Sequence, residues 1–296
     1  MISIAMTTYN GERYLREQLD SILGQTIRDF ELYVCDDNST DSTWMILQEY
    51  QKKDNRLFLF RNEQNLGFKK NFEKAIGYCK GEYVALSDQD DEWMPDHLEK
   101  LLSIIGDNML ACGNSDLIDE KGNKIGLTLA EMESLDVFPE NPIDLAYTIT
   151  YFRSAFQGAS MLIKRDFLPY ALPIPEGANY HDSWFSLLSC FLGGMAYTFD
   201  IVNQYRMHSS NVTGHRVVRK SKFKDFKEQI LFSGRAYDRK FLIEGVRERI
   251  PNLSSEELEF INSSLERIHN SDSLYGRITN IPFRIKNYYK IYSCKR

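Results

Sequence analysis

The stretch Tyr83-Val84-Ala85-Leu86-Ser87-Asp88-Gln89-Asp90-Asp91-Glu92-Trp93 is the most informative in the chain. Tyr83 to Leu86 is a short apolar run with the β-branched and aromatic character of a buried strand, and it stops in three aspartates and a glutamate within five positions. Folding alone does not select such a concentration of like charge, because neighbouring carboxylates repel unless a cation, donors or solvent offset them. The D-x-D spacing suits a hard divalent ion, Mg²⁺ or Mn²⁺, which takes one or two protein carboxylates and completes its shell with water and phosphate oxygens.

The same pattern of strand, polar turn and helix runs outward from this segment. Strands are expected at Ile2 to Met6, Phe30 to Cys35 and Leu57 to Phe60, and helices at Glu12 to Leu23, Asp41 to Gln51, Lys69 to Cys79 and Asp96 to Ile105. This β-α rhythm predicts an α/β fold with a mainly parallel sheet covered on both faces, and ligands then sit beyond the carboxyl ends of its strands. Later, Asp119 to Asn123 reads as a hairpin or loop. A helix is expected near Ile143 to Phe152, a strand near Ala159 to Ile163, a helix near Asp182 to Phe191 and a strand near Ala196 to Tyr205. From Val217 the chain reads as helical, near Phe223 to Glu244 and Ser255 to Asn270, so the expected division is a catalytic domain over 1–215 and a basic helical region over 216–296.

Composition supports a globular chain: of 296 residues 43% are hydrophobic and 26% charged. The net charge of -6 conceals two halves, with 18 Lys and Arg against 32 Asp and Glu through His215, and 18 against 10 beyond it. An acidic body argues against a nucleic-acid binder, while the basic end suits either an anionic membrane surface or packing beside the acidic part. The five scattered cysteines form no C-x-x-C pair, and the N-terminus lacks a secretion signal, so a reducing, cytoplasmic setting is expected. Trp184 to Phe199 is uncharged but short of the roughly 20 apolar residues a membrane span requires.

Polar clusters follow the other strands too. Thr7-Thr8-Tyr9-Asn10-Gly11 carries neither the G-x-G-x-x-G nor the G-x-x-x-x-G-K-[ST] spacing of dinucleotide and P-loop sites, and Tyr9 there offers a ring to a nucleobase. In Asp36-Asp37-Asn38-Ser39-Thr40-Asp41, Ser39 and Asp41 suit helix caps, but the two leading aspartates exceed what capping requires. Asp182 reads either as a cap or as a general base, and His208 either as a structural histidine or as a neutral imidazole ligand for Mn²⁺.

Four of these motifs occur together in order, and through Thr7 to Gly11, Asp36 to Asp41, Asn65-Leu66-Gly67 and Ser87 to Asp91 the chain resembles the family 2 glycosyltransferases of GT-A fold over roughly Met1 to Gly214. Ser87 to Trp93, His181-Asp182-Ser183-Trp184 and Tyr205-Arg206-Met207-His208-Ser209-Ser210-Asn211 are most similar to bacterial rhamnosyltransferases of cell-wall and capsular polysaccharide synthesis. The resemblance implies that Tyr9 stacks on a pyrimidine, Thr7 lines its pocket and Asp37 accepts its N–H. Asp88 then faces the ribose or deoxyribose, Asp90 holds the divalent metal, with His208 on the metal or diphosphate, and Lys70 and Asn71 shape the nucleotide pocket. Asp182 is the implied general base of an inverting transfer. On the acceptor side, His181 orients that base or binds acceptor, Gly158 allows close packing, Trp93 and Trp184 offer a sugar-stacking wall, and Arg206 pairs with a diphosphate or an acidic neighbour.

The implied donor is dTDP-β-L-rhamnose, with UDP-galactose or UDP-glucose as the near alternative. The implied acceptor is a glycan or a polyprenyl-diphosphate-linked oligosaccharide, met by a peripheral enzyme on the inner face of the plasma membrane. The basic C-terminal helices then serve as a membrane platform, Lys220, Lys222, Lys224 and Lys227 included, or as a homo-oligomer contact. A sugar-phosphate nucleotidyltransferase and a non-catalytic nucleotide-sugar binder are the competing classes. The first lacks its Gly-rich triphosphate loop here, and the second has no need of Asp88, Asp90 and Asp182 together.

Overall fold

The computed structural model describes residues 1–133, 135, 137–151, 156–209, 211, 236–270 and 282. Its first half follows the expected alternation: β1 (Ile2–Thr8), α1 (Leu15–Leu23), β2 (Phe30–Asp36), α2 (Thr43–Gln51), β3 (Leu57–Arg61), α3 (Phe68–Tyr78) and β4 (Tyr83–Ser87). Then come β5 (Glu92–Trp93), α4 (His97–Ile105), β6 (Leu110–Ile118), β7 (Lys124–Thr128), β8 (Met161–Lys164) and β9 (Met195–Arg206). All nine strands join one sheet in the order β3-β2-β1-β4-β8-β6-β9-β5, with β7 beside β6.

β1 to β4 are mutually parallel, as the crossover helices require, but beyond β4 the sheet is mixed. β8 runs antiparallel to β4 and to β6, β9 returns parallel to β6, and β5 pairs antiparallel with β9 through Glu92↔Gln204 and Trp93↔Asn203. Asp119 to Asn123 forms the turn between β6 and β7, and these two strands are an addition to the sequence reading. Polar Asn114 and Ser115 interrupt the apolar pattern of β6, yet both are buried and hydrogen-bonded, Asn114 to the Phe199 carbonyl and Ser115 to Gln157 and Ser160. Gly113 admits close approach of β9: a Cβ there would stand 2.5 Å from Val202 Cγ2.

Apolar faces of α1, α2 and α4 meet the sheet through Leu15, Leu19, Ile22, Leu47, Leu98 and Leu101 against Ile4, Met6, Leu32 and Val34, all within one buried cluster. Burial of this kind, worth about 25 cal/mol per Å² of apolar surface, holds the parallel strands in register. That register matters for function. Thr8 lies opposite Asp36 and Met6 opposite Ser87, so the loops after β1, β2 and β4 emerge side by side.

The chain divides into two compact units, neither of them one continuous stretch. The first comprises Met1–Leu129, Phe156–Pro173 and Met195–Arg216, and contains the whole sheet; the second comprises Ala130–Ala155, Ile174–Gly194 and Val217–Arg296. The second holds helices Pro142–Tyr151, His181–Ser189, Ala236–Arg249 and Ser255–Asn270; on the last of these the Phe260 ring meets Tyr147 at 4.7 Å and Phe191, just past helix His181–Ser189, at 5.6 Å. Of the helix expected over Phe223 to Glu244, 223–235 fall outside the described residues, as do Lys220, Lys222, Lys224 and Lys227. Among the described residues no helix is long and apolar enough to cross a membrane, and Cys35, Cys79, Cys112 and Cys190 form no disulfide.

Candidate active site

Asp36, the last residue of β2, and Asp37, the first beyond it, meet different partners. Asp36 faces inward, accepting from the Thr8 hydroxyl, from Ser39 and from Arg61 Nε at 3.2 Å. Asp37 is 2% exposed and gathers the loop before α3: Asn62 Nδ2 donates to it at 2.7 Å, Leu66 N–H at 2.8 Å and Gly67 N–H at 2.9 Å. Gly67 sits at φ 79°, a conformation that favours glycine. Asn71 lies beneath, buried, accepting from Asn62 and donating to the Cys35 carbonyl, and Lys74 Nζ donates to Asn62 Oδ1. Lys70 instead lies on the exposed side of α3, paired with Glu73 at 2.9 Å.

Thr7 is buried at the end of β1, while Tyr9 is 47% exposed and presents its ring at the rim. Its backbone is held by a side chain from the acidic loop: Gln89 Oε1 accepts from Tyr9 N–H at 2.8 Å and Gln89 Nε2 donates to Tyr9 O at 2.9 Å. Asn10, at φ 49°, ties this loop to the one after β2, donating its N–H to Ser39 Oγ and accepting at Oδ1 from Thr40 N–H.

The four acids of Asp88 to Glu92 have different environments. Asp91 is fully buried, and its carboxylate accepts from Gln157 Nε2 at 3.2 Å, Asn203 Nδ2 at 3.0 Å and Arg206 N–H at 3.1 Å. Burial, reinforced by the charges of Asp90 and Asp88, raises its pKa well above the usual carboxylate range. Asp91 is therefore a tie between the acidic loop and β9, a role sequence reading did not separate from those of its neighbours. Asp90 faces His208: Oδ2 and Nε2 are 2.9 Å apart, with the imidazole side chain 6% exposed. The antiparallel β5–β9 pairing explains how residues so distant in sequence meet, since the chain beyond Arg206 runs back along the loop.

Arg206 is 1% exposed, ion-paired with Glu17, and its Nε donates to the Asp90 carbonyl at 2.9 Å. Glu17 is an acidic neighbour of the kind expected for it. Its guanidinium lies 4.7 Å from the Tyr14 ring, which also packs 5.1 Å from His208. On the α1 side, Gln18 Nε2 donates to Ser87 Oγ and the Asp88 carbonyl, and Ser21 Oγ accepts from Trp93 N–H. The acidic loop is thus fastened from three directions.

The remaining expected residues are placed differently. Trp93 is 3% exposed, its ring stacked at 3.8 Å on His97, so it is a core residue and presents no sugar-facing wall. Trp184 is likewise buried in the second unit, under the Arg249 guanidinium and against Gly245, where a Cβ would stand 3.1 Å from the indole. Gly158 is buried in the short helical turn Gly158–Ser160 that precedes β8. His181 is buried and kept neutral, its pKa lowered to about 4 by burial. Asp182 is half-buried in the first turn of helix His181–Ser189, and its Oδ1 accepts from the Ser183 N–H and hydroxyl.

As a donor set for a divalent cation, one carboxylate and one imidazole in mutual contact are chemically suited to Mn²⁺ or Mg²⁺ completing its shell with phosphate and water. Among the described residues no three His, Cys, Asp or Glu side chains converge into a closed cage. Gln89, Asn62 and Tyr14 were not singled out from sequence. Their signal lies in strand register, which a single chain does not display.

Several known proteins are similar to this chain in sequence or fold. An uncharacterized glycosyltransferase of Methanocaldococcus jannaschii is 38% identical over 42% of this chain, a match spanning 44% of that protein's own length. The Escherichia coli protein WfgD, a UDP-Glc:alpha-D-GlcNAc-diphosphoundecaprenol beta-1,3-glucosyltransferase, is 27% identical over 77% of this chain and 83% of its own. Among solved structures, S. aureus TarS residues 1–349 in complex with UDP-GlcNAc superposes with a TM-score of 0.57 at 18% identity, covering 99% of this chain and 90% of that one. The mannosyltransferase PcManGT of Pyrobaculum calidifontis, in complex with GDP-Man and Mn²⁺, superposes at 0.54 and 18% identity, covering 100% and 76%. Both likenesses are of fold, the GT-A arrangement of a mixed sheet flanked by helices. Residues 3–165, more than half of the chain, match the glycosyl transferase family 2 pattern, and the chain belongs to that family.

Proposed function

We propose that this glycosyltransferase transfers a hexose, with inversion, from a pyrimidine nucleoside diphosphate sugar to a hydroxyl of a glycan or lipid-linked oligosaccharide in polysaccharide synthesis. The observation that carries this reading is the Asp90–His208 pair, 2.9 Å apart, beside Gln89, whose amide holds the backbone of the exposed Tyr9. A base stacked on Tyr9 would be met by Asp37, which follows the neighbouring strand end. Three of the roughly four acceptor positions of that carboxylate are taken, which leaves one for a pyrimidine N–H. Asp90 and His208 would hold the divalent cation, which supplies charge neutralisation for the departing diphosphate when bound.

Asp182 takes the acceptor proton. It lies in the first turn of a helix, where its Oδ1 accepts from the Ser183 N–H and hydroxyl and its second oxygen is the one for the acceptor hydroxyl. As the proton moves to Asp182, the acceptor oxygen bonds to the anomeric carbon and the bond to the nucleotide breaks, through an oxocarbenium-like transition state. Asn62, Asn71 and Lys74 keep the nucleotide side pre-organised, so little reorganisation is needed on binding.

The resemblance to rhamnosyltransferases favours dTDP-β-L-rhamnose as donor. The match to WfgD over most of both chains favours UDP-glucose as a second reading, together with a polyprenyl-diphosphate acceptor at the membrane surface. A calorimetric panel of dTDP-rhamnose, UDP-glucose, UDP-galactose and GDP-mannose, each with Mn²⁺, Mg²⁺ or EDTA, separates them. Metal-dependent binding of dTDP-rhamnose above the others supports the first reading, preference for a UDP-sugar replaces the donor, and binding of none refutes the nucleotide-sugar site.

A further inference from the structure

We propose that Gln89 is a positioning residue that joins the nucleobase side and the cation side of the donor site into one unit; the inference rests on the donor-site reading above. Gln89 lies between Asp88 and Asp90, yet both halves of its amide are engaged across the sheet end by a single residue, Tyr9. This is the pairing a neighbouring strand gives a residue, here delivered by a side chain. Donor meets acceptor at both contacts, and a flipped amide would set donor against donor and acceptor against acceptor, so one orientation alone fits. The Tyr9 backbone is thereby fixed relative to the peptides that carry Asp88 and Asp90.

Gly11 provides the room. A Cβ there would stand 2.1 Å from Gln89 Oε1 and 2.4 Å from its Cδ, while the Gly11 backbone is not in the left-handed region. Glycine at this position leaves room for the Gln89 amide to reach Tyr9; a Cβ would displace that side chain. The other end of the clamp is also anchored, since Gln18 holds Ser87 and the Asp88 carbonyl and Asp91 holds β9. Ordering one loop therefore orders the other. A nucleobase stacked on Tyr9 favours the arrangement of Asp88 and Asp90 that meets the cation, and by linkage the cation favours base binding to the same degree.

The test splits the donor into fragments. Uridine or thymidine is titrated into the full chain with and without saturating Mn²⁺ and inorganic pyrophosphate, followed by ligand-observed NMR, with a thermal melt confirming that each variant is folded. In the wild type the second fragment tightens nucleoside binding by about fivefold or more. In Gln89→Ala both fragments still bind but the enhancement falls below about twofold, and Gly11→Ala behaves alike, with the double variant no worse than either single. Gln89→Glu keeps an acceptor for Tyr9 N–H but sets a carboxylate oxygen against Tyr9 O, and gives an intermediate enhancement; with Gly11→Ala it carries the test should Gln89→Ala fail to fold. Full enhancement in a folded Gln89 variant, or a wild type that binds both fragments without coupling, overturns the proposal and leaves the donor-site reading standing. A wild type that binds neither fragment overturns the donor-site reading itself, and this inference with it.

Discussion

Replacing Asp91 tests whether the acidic loop is built as described. Its carboxylate is fully buried and accepts three hydrogen bonds, two at Oδ2 from Gln157 and Asn203 and one at Oδ1 from Arg206 N–H. Alanine removes the acceptor from all three, and a buried donor left unmatched costs about 1–3 kcal/mol. Part of that cost is offset, because burial and the charges of Asp90 and Asp88 already disfavour the ionised form, as its raised pKa records. The expected net loss for Asp91→Ala is about 3 kcal/mol, the low end of the range for breaking a buried charged network. Asparagine keeps the shape and one oxygen, which serves the two donors at Oδ2, but its amide nitrogen then faces Arg206 N–H. One orphaned donor instead of three predicts a loss of about 1–2 kcal/mol. Urea denaturation gives the order wild type, Asp91→Asn, Asp91→Ala, with Mn²⁺ affinity as the second readout. Equal losses for the two variants, or loss of Mn²⁺ binding with unchanged stability in Asp91→Ala, would refute the tie and make Asp91 a ligand.

Asp90→Ala and His208→Ala each lower Mn²⁺ affinity of the donor complex by at least about tenfold, measured by calorimetry, whereas Lys70→Ala leaves it unchanged. Asp182→Asn abolishes transfer and leaves donor affinity within about twofold, read by parallel turnover and binding assays; retained turnover would remove it as the base. His97 is buried and neutral, its pKa lowered to about 3 by burial, with Nδ1–H donating to the Val202 carbonyl at 2.8 Å and, among the described residues, no hydrogen-bond partner on Nε2. The unfolded ring takes a proton below its ordinary 6.5 while the folded one does not, so stability is present above that pH and is lost as pH falls toward 3, at roughly 1.4 kcal/mol per pH unit. His97→Gln should flatten the dependence of the urea midpoint on pH by that amount; an unchanged slope would show that His97 titrates normally in the fold.

Where local pattern and tertiary structure agreed, the fold was readable. Ile2 to Met6, Phe30 to Cys35 and Tyr83 to Leu86 are buried on both faces, so their continuous apolar runs signal parallel strands, and the structure extends each by only one or two residues. β6 was not anticipated, for a physical reason. Cys112-Gly113-Asn114-Ser115-Asp116 lacks the apolar pattern of a strand, yet β8 and β9 flank it and partner its polar groups, so burial there follows from neighbours arriving more than 40 residues later. The two-residue β5 is invisible to any periodicity, although it carries the pairing that brings β9 to the acidic loop.

The candidate site shows the same limit at the scale of single carboxylates. Composition marks Asp36-Asp37 and Asp88 to Glu92 as loaded segments, but which acid faces a ligand is set by how many donors the fold already points at it. Asp36 and Asp91 are each met on both oxygens by internal donors, so neither has reason to bind anything else. Asp37 is nearly saturated, and Asp90 meets an imidazole that is itself able to ligate a metal. Adjacent residues with identical side chains therefore divide into ties and contacts according to loop register. The ties are as necessary as the contacts, because a charged loop stays in place against its own repulsion only while Asp91, Gln18 and Arg206 hold its backbone.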